Sequence, residues 1–157
     1  EGGVRVPFVV RWPDRLPAGK TYAKPVSSLD VFATALACAG ARMPTDKTYD
    51  SVNLIPFLAG EQTGAPHTRL MWRSGPQWAL READAKLVRH KDQKDELYNV
   101  SADLSETKDV AESQAKTGKR LATSLDAWDK ELVAPAFPGP AAHRAAKGKN
   151  KKNKQPD

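Results

Sequence analysis

Apolar positions along the chain change period several times, and each change predicts an element. Residues 4–12 are nearly continuously apolar, with Phe8-Val9-Val10 at the centre, which predicts a buried β-strand. Pro7 cannot donate to a ladder, so it marks where that strand begins. Pro13-Asp14 and Pro17-Ala18-Gly19 then make a turn-rich loop. From Leu29 the period becomes helical, with Leu29, Phe32, Leu36 and Ala39 on one stripe and Gly40 as the stop. Ser27-Ser28-Leu29-Asp30 has the spacing of a capping box, Asp standing in for the usual Glu or Gln. Cys38 falls inside this helix, where a small buried thiol is the expected use. A short second helix or turn is expected over residues 53–59, with Pro56 in its first turn and Gly60 closing it.

After the polar stretch 60–68 the pattern shortens. Residues 69–73, 77–81 and 86–89 predict three strands, joined by hairpin turns at Ser74-Gly75-Pro76 and Glu82-Ala83-Asp84-Ala85. Residues 96–99, ELYN, add a fourth strand or short edge. Leu121, Leu125, Trp128 and Leu132 then fall on one face of an amphipathic helix over residues 115–133, ended by Pro135. That stripe needs a partner, and the small sheet offers one. The fold class is α+β: a strand and helix first, then a small antiparallel sheet covered by one C-terminal helix.

Composition narrows the classes. The 157 residues carry a formal charge of +6, with 39% hydrophobic and 28% charged residues, which fits a globular body. The longest apolar-leaning run, 29–41, contains Asp30 and falls short of the roughly 20 residues that a bilayer crossing requires. Cys38 is alone, which excludes an internal disulfide and a zinc site built on several thiolates. The charge is not spread evenly. Arg144, Lys147, Lys149, Lys151, Lys152 and Lys154 face only Asp157, and no apolar residue larger than alanine or proline follows His143. Residues 138–157 are therefore expected to be a disordered basic tail. It is either a solvated end or a weak, salt-sensitive polyanion binder. The body is nearly neutral, so no specific nucleic-acid partner is expected.

Catalytic motifs are missing. No G-x-S-x-G elbow, H-E-x-x-H pair or P-loop occurs, and His67, His90 and His143 lie too far apart for metal-ligand spacing. Asp92, Asp95 and Glu96 beside Lys91 and Lys94 suit a solvated hairpin end better than a calcium loop. Asp103, Glu106 and Asp109 suit a polar turn entering the last helix. Asn99-Val100-Ser101 matches a glycosylation sequon, a tripeptide common by chance. Glu1-Gly2-Gly3 suggests close backbone packing before a strand. It also reads as the interior of a loop, so the chain is expected to be a piece of a longer protein, with any signal peptide upstream.

The order of segments resembles one family. Glu1-Gly2-Gly3-Val4-Arg5-Val6-Pro7-Phe8 with Arg11-Trp12-Pro13 resembles the E-G-G-x-R-x-P stretch of the sulfatases. Val26-Ser27-Ser28-Leu29-Asp30-Val31-Phe32 with Thr34 and Ala39-Gly40 is similar to that family's next helix. Asp50-Ser51-Val52-Asn53-Leu54 with Pro56, Leu58 and Gly60 resembles its D-G-x-S-L-x-P-x-L-x-G segment. Trp78-Ala79-Leu80-Arg81 to Lys86-Leu87-Val88 is similar to its W-A-x-R-x-G-D-W-K-L strand pair, and Glu96-Leu97-Tyr98-Asn99 with Asp103, Glu106 and Asp109 to its E-L-Y-D-L turn. Here Ala83 and Ala85 replace Gly and Trp, Leu104 replaces Pro, Ser51 replaces Gly, and Ala33 replaces a common helix Pro.

The resemblance implies an alkaline-phosphatase-like α/β fold, with residues 1–60 closing its large domain and residues 66–134 forming a small C-terminal subdomain. It implies a sulfuric ester hydrolase using calcium and a formylglycine made from a C/S-x-P-x-R motif, acting on a sulfated small molecule or polysaccharide. It implies periplasmic or secreted residence. Cys38, followed by Ala39-Gly40-Ala41, does not match the modified cysteine, so no catalytic or metal residue is assigned to this chain and it is expected to be inactive alone. Three residues could line a substrate pocket, His67, Arg73 and Trp78, through anion pairing and ring stacking. The alternative is that Trp78 packs in the core and Arg73 is solvated. Two other readings are a non-catalytic polyanion-binding module and a phosphodiesterase or phosphonate hydrolase of the same superfamily. A third is that the first strand leaves an aggregation-prone edge when its sheet is incomplete.

Overall fold

The computed structural model describes residues 1–134. The basic segment 138–157 lies outside them. The described elements are α1 (Asp30–Cys38), α2 (Ile55–Ala59), β1 (Leu70–Ser74), β2 (Gln77–Glu82), β3 (Ala85–His90), β4 (Glu96–Asn99) and α3 (Ala115–Glu131). They divide into two compact units, Gly2–Leu70 and a second made of Glu1 together with the chain from Met71 onward.

In the second unit the sheet order is β1-β2-β3-β4, with β2/β3 and β3/β4 antiparallel. Register explains the core. Leu80 lies opposite Leu87, and Leu87 opposite Leu97, so three strands align one leucine each in a single row. Leu121 and Leu125 of α3 close over that row, and all five side chains are buried. Each removes its apolar surface from water at a gain of about 1.5–3 kcal/mol. Trp128 packs on the rim of this cluster, while Leu132 is exposed beyond the helix end. Gly118 lies on the inner face of α3, where a Cβ would meet only Leu97 Cδ2 at 4.0 Å. The predicted sheet and terminal helix are therefore present, the helix stopping at Glu131.

The unit Gly2–Leu70 departs from expectation. Residues 5–12 take no strand assignment, because no strand among the described residues pairs with them. Instead of being buried, Phe8, Val9 and Val10 are exposed, Val9 by 88%. Helix α1 forms where expected but turns the other way. Its buried residues are Asp30 and Ala33, and Leu29, Val31 and Phe32 face outward. The reason is polar. Asp30 and Thr34 find backbone donors only on the inner side, so hydrogen bonding sets the orientation against the apolar stripe. Cys38 is exposed rather than buried, and nothing approaches a Cβ built on Gly2 or Gly3, so close packing is absent there. Helix α2 matches its sequence signals, with Pro56 in the first turn and Gly60 at φ 83° as the left-handed stop.

Candidate functional site

Three polar constellations stand out among the described residues. In the sheet unit, β1 carries Arg73 and β2 carries Trp78, and both meet Asp129 near the end of α3. Trp78 Nε1–H donates to Asp129 Oδ1 at 2.7 Å, and Arg73 Nη1 lies 3.1 Å from the same oxygen. The guanidinium stands 5.5 Å from the Trp78 ring centroid, within cation–π range. A carboxylate at a helix C-terminus opposes the macrodipole, and these two donors offset that cost. Arg73 Nε is buried without a hydrogen-bond partner, while the side chain as a whole is 26% exposed. Trp78 is thus packed and Arg73 ion-paired.

His67 belongs to the unit Gly2–Leu70 and has a different partner. Its Nε2 lies 2.9 and 2.8 Å from the two oxygens of Asp30. Asp30 is fully buried and also accepts Ser27 N–H at 2.7 Å and Val52 N–H at 2.9 Å. A carboxylate can only accept, so the imidazole must carry its proton on Nε2. Ser51 Oγ accepts Ala33 N–H at 2.9 Å and donates to Leu29 O at 2.8 Å, inserting a hydroxyl into the helix's own ladder position. Thr34 Oγ1 accepts Leu54 N–H at 3.0 Å. The capping box is half formed: Asp30 reaches back to Ser27 N–H, but Ser27 Oγ takes Leu29 N–H. A cleft of about 370 Å³ opens beside α1, lined by Phe8, Val10, Val31, Leu54 and neighbours. His67 is not among its lining residues.

The third constellation joins the β2–β3 hairpin to two acids distant in sequence. Arg81 and Lys86 are directly opposed across β2 and β3, a like-charge pair that requires acids nearby. Glu1 and Glu106 supply them. Glu1 Oε2 lies 3.2 Å from Arg81 Nη1, Glu1 Oε1 lies 3.3 Å from Lys86 Nζ, and Lys86 also donates to Glu106. The Glu1 amino group donates to Glu106 as well. The Glu1 and Lys86 side chains are each only 5% exposed. Burial alone would push the Lys86 ammonium down, but its bonds to the acids outweigh that and hold it above the ordinary value. Burial likewise opposes ionisation of Glu106, and Lys86 and the amino group reverse it, holding the carboxyl below its usual range.

Nothing about Glu1, Lys86 or Glu106 was legible as a site in the sequence, since 80 and 105 residues separate Glu1 from Arg81 and Glu106. The one available signal was the like-charge pair facing across the hairpin. The acids expected to form polar turns have backbone partners: Asp103 accepts Thr107 and Lys108 N–H, each at 2.8 Å, and Asp109 accepts Leu97 and Ala111 N–H. Asp95 is held by Arg89 at 2.6 and 2.7 Å. With Asp30, Asp95, Asp103 and Asp109 committed in this way, the described residues contain no group of three acids, histidines or thiols able to hold a metal ion. They do not fit the calcium implied by the resemblance. No described helix is long and apolar enough to cross a membrane.

Comparison with known proteins places these features. A family model described as Sulfatase matches residues 1–41. Mouse steryl-sulfatase is 46% identical over 67 residues, which is 43% of this chain and 11% of that protein. Human arylsulfatase D is 39% identical over 75 residues, 48% of this chain and 13% of that protein. Over these stretches the chain is similar to sulfatases. The matched stretch spans only about an eighth of those two sulfatases. Among solved structures, Ps i-CgsB has a TM-score of 0.70 at 26% identity, covering 80% of this chain and 29% of that one. Its complex with k-i-k-neocarrahexaose gives 0.71 at 25%, covering 85% and 31%. The alkaline-phosphatase-like sulfatase fold thus extends over most of this chain, well beyond the residues matched by the family model.

Proposed function

We propose that this chain is the C-terminal portion of an enzyme that hydrolyses sulfate esters or sulfamates, and that it is inactive alone. The observation that carries the reading is the fold likeness to Ps i-CgsB over 80–85% of this chain but only 29–31% of that protein. The nucleophile, as formylglycine, and the calcium ligands then belong to polypeptide preceding Glu1. Calcium would neutralise charge on the transferring sulfuryl group. A sulfated carbohydrate is the favoured substrate class, because Ps i-CgsB was solved with a neocarrahexaose, and a more distant fold relative, BT4656, with a glucosamine disulfate. Periplasmic or secreted residence goes with that substrate. The domain division at 1–60, 66–134 and 138–157 belongs to the same reading.

Of the pocket candidates, Arg73 and Trp78 keep a substrate-facing role in this reading. The guanidinium is a quarter exposed over an aromatic ring, an arrangement suited to a sulfated sugar. His67 instead positions α1 through Asp30. The test is to express the reading frame contiguous with the Glu1 codon and assay sulfate release from an aryl sulfate and from sulfated oligosaccharides. Sulfate release is expected, and it should vanish when the formylglycine precursor is replaced. A contiguous frame without C/S-x-P-x-R, or one releasing phosphate but no sulfate, sinks the proposal.

A further inference from the structure

The nearly neutral total of the folded body conceals an uneven distribution of charge. In the unit Gly2–Leu70, the loop over residues 11–24 carries Arg11, Arg15, Lys20 and Lys24 against Asp14 alone. The next acid along the chain, Asp30, is buried and bonded to His67. All four loop cations are exposed, and none of them forms an ion pair among the described residues. The sheet unit behaves differently: Arg73, Arg81, Lys86, Arg89 and Arg120 each lie against a carboxylate. We infer that the loop 11–24 is a docking strip for the sulfate groups of a polysaccharide chain.

Local structure holds the strip in shape. The N–H groups of Arg15 and Leu16 both donate to Trp12 O, at 3.0 and 2.8 Å, and this turn sets the Arg15 guanidinium 5.7 Å from the Trp12 ring centroid. Contact with a ring face consumes no N–H donor, so the guanidinium keeps its fork for an oxyanion. Further along, the Tyr22 hydroxyl donates to Gly64 O at 3.0 Å and ties the loop down. Four like charges close in sequence repel one another, and an extended polyanion relieves that repulsion while releasing its own counterions. Single-stranded nucleic acid is the poorer fit. It gains from stacking on open aromatic faces, whereas Trp12 and Tyr22 are half-buried and Arg15 stands over the Trp12 ring. The choice of a sulfated sugar over other polyanions rests on the function proposed above; the clustering of charge does not.

The test measures binding of the full 157-residue chain to immobilised carrageenan over a series of sodium chloride concentrations. The basic residues 144–154 are the same in every variant, so differences report the loop. Combining Arg11→Gln, Arg15→Gln, Lys20→Gln and Lys24→Gln should make the slope of log K against log salt shallower by about 3, at roughly 0.7–0.9 per lost contact. Removing the same charge at exposed positions of the sheet unit, through Lys91→Gln, Lys94→Gln, Lys116→Gln and Lys119→Gln, should change it by less than about 1. Arg11→Lys with Arg15→Lys keeps the charge and should keep the slope. Circular dichroism checks that each variant folds. A loop variant with the native slope overturns the strip, as does a sheet-unit variant that loses as much. Tighter binding to single-stranded DNA than to carrageenan at the same salt overturns the sulfated polysaccharide as occupant. Binding requires no turnover, so these outcomes are separate from whether the complete enzyme releases sulfate.

Discussion

Three substitutions relative to the sulfatase pattern show how single residues are accommodated. Ala83 stands in the β2–β3 turn at φ 50°, where the family has Gly. A left-handed alanine costs about 1–2 kcal/mol, partly offset by the extra freedom glycine has when unfolded. Ala83→Gly should therefore stabilise the sheet unit by about 0.5–1 kcal/mol in urea denaturation. Ala33 and Ser51 replace Pro and Gly, and they are bonded to each other, Ala33 N–H to Ser51 Oγ at 2.9 Å. A Pro at 33 has no N–H to give, and a Gly at 51 has no hydroxyl to receive it. Each reversion alone should cost about 1 kcal/mol, and Ala33→Pro with Ser51→Gly together should cost less than their sum. Additive costs in thermal denaturation would argue that the two positions are independent.

At the level of elements, the terminal helix and the sheet were legible because their burial is a matter of local apolar spacing. Leu80, Leu87, Leu97, Leu121 and Leu125 are large, regularly placed and buried as the pattern requires. Helix α1 was legible in extent but not in orientation, because a buried carboxylate outranks exposed leucine and phenylalanine only when its donors are known. Those donors, Ser27, Val52 and His67, include two from 22 and 37 residues away. His67, Arg73 and Trp78 were singled out in the sequence as candidates to line a substrate pocket. What they touch depended on Asp30 and Asp129, which no spacing rule connects to them. Helix α3 carries an avoidable weakness at Gly118. Gly118→Ala should raise stability by about 1 kcal/mol, since the new methyl makes an ordinary contact with Leu97 at 4.0 Å. Unchanged stability in guanidinium titration would place a hidden constraint there.

For the whole molecule, the balance of acids and bases sets a pH window. Glu106 and Asp103 are both held below their ordinary values, Glu106 by Lys86 and the amino group against burial, Asp103 chiefly by Lys108 N–H. Such groups contribute stability that is fully present above the unfolded value and is lost as pH falls through the folded one. Lys86, held above its ordinary value, contributes below 10.5 and loses that contribution as pH rises through its folded value. The sheet unit should thus lose stability below pH 4.5, and Glu106→Gln should flatten that acid limb in pH-dependent denaturation. The other unit exposes Val6, Phe8 and Val9 on a segment without a paired strand among the described residues. Val9→Lys should lower self-association in light scattering, since a charge blunts such an edge.

The placement of residue 1 also bears on the order in which the protein is made. Glu1 leaves the ribosome before its partner Glu106, which comes 105 residues later. At roughly 5–20 residues per second, Glu1 waits about 5–20 s for Glu106 to be made, and closing so long a loop adds a further entropic delay. The Glu1 carboxylate therefore stays without its full set of partners until the β2–β3 hairpin and the turn at Glu106 have both been made.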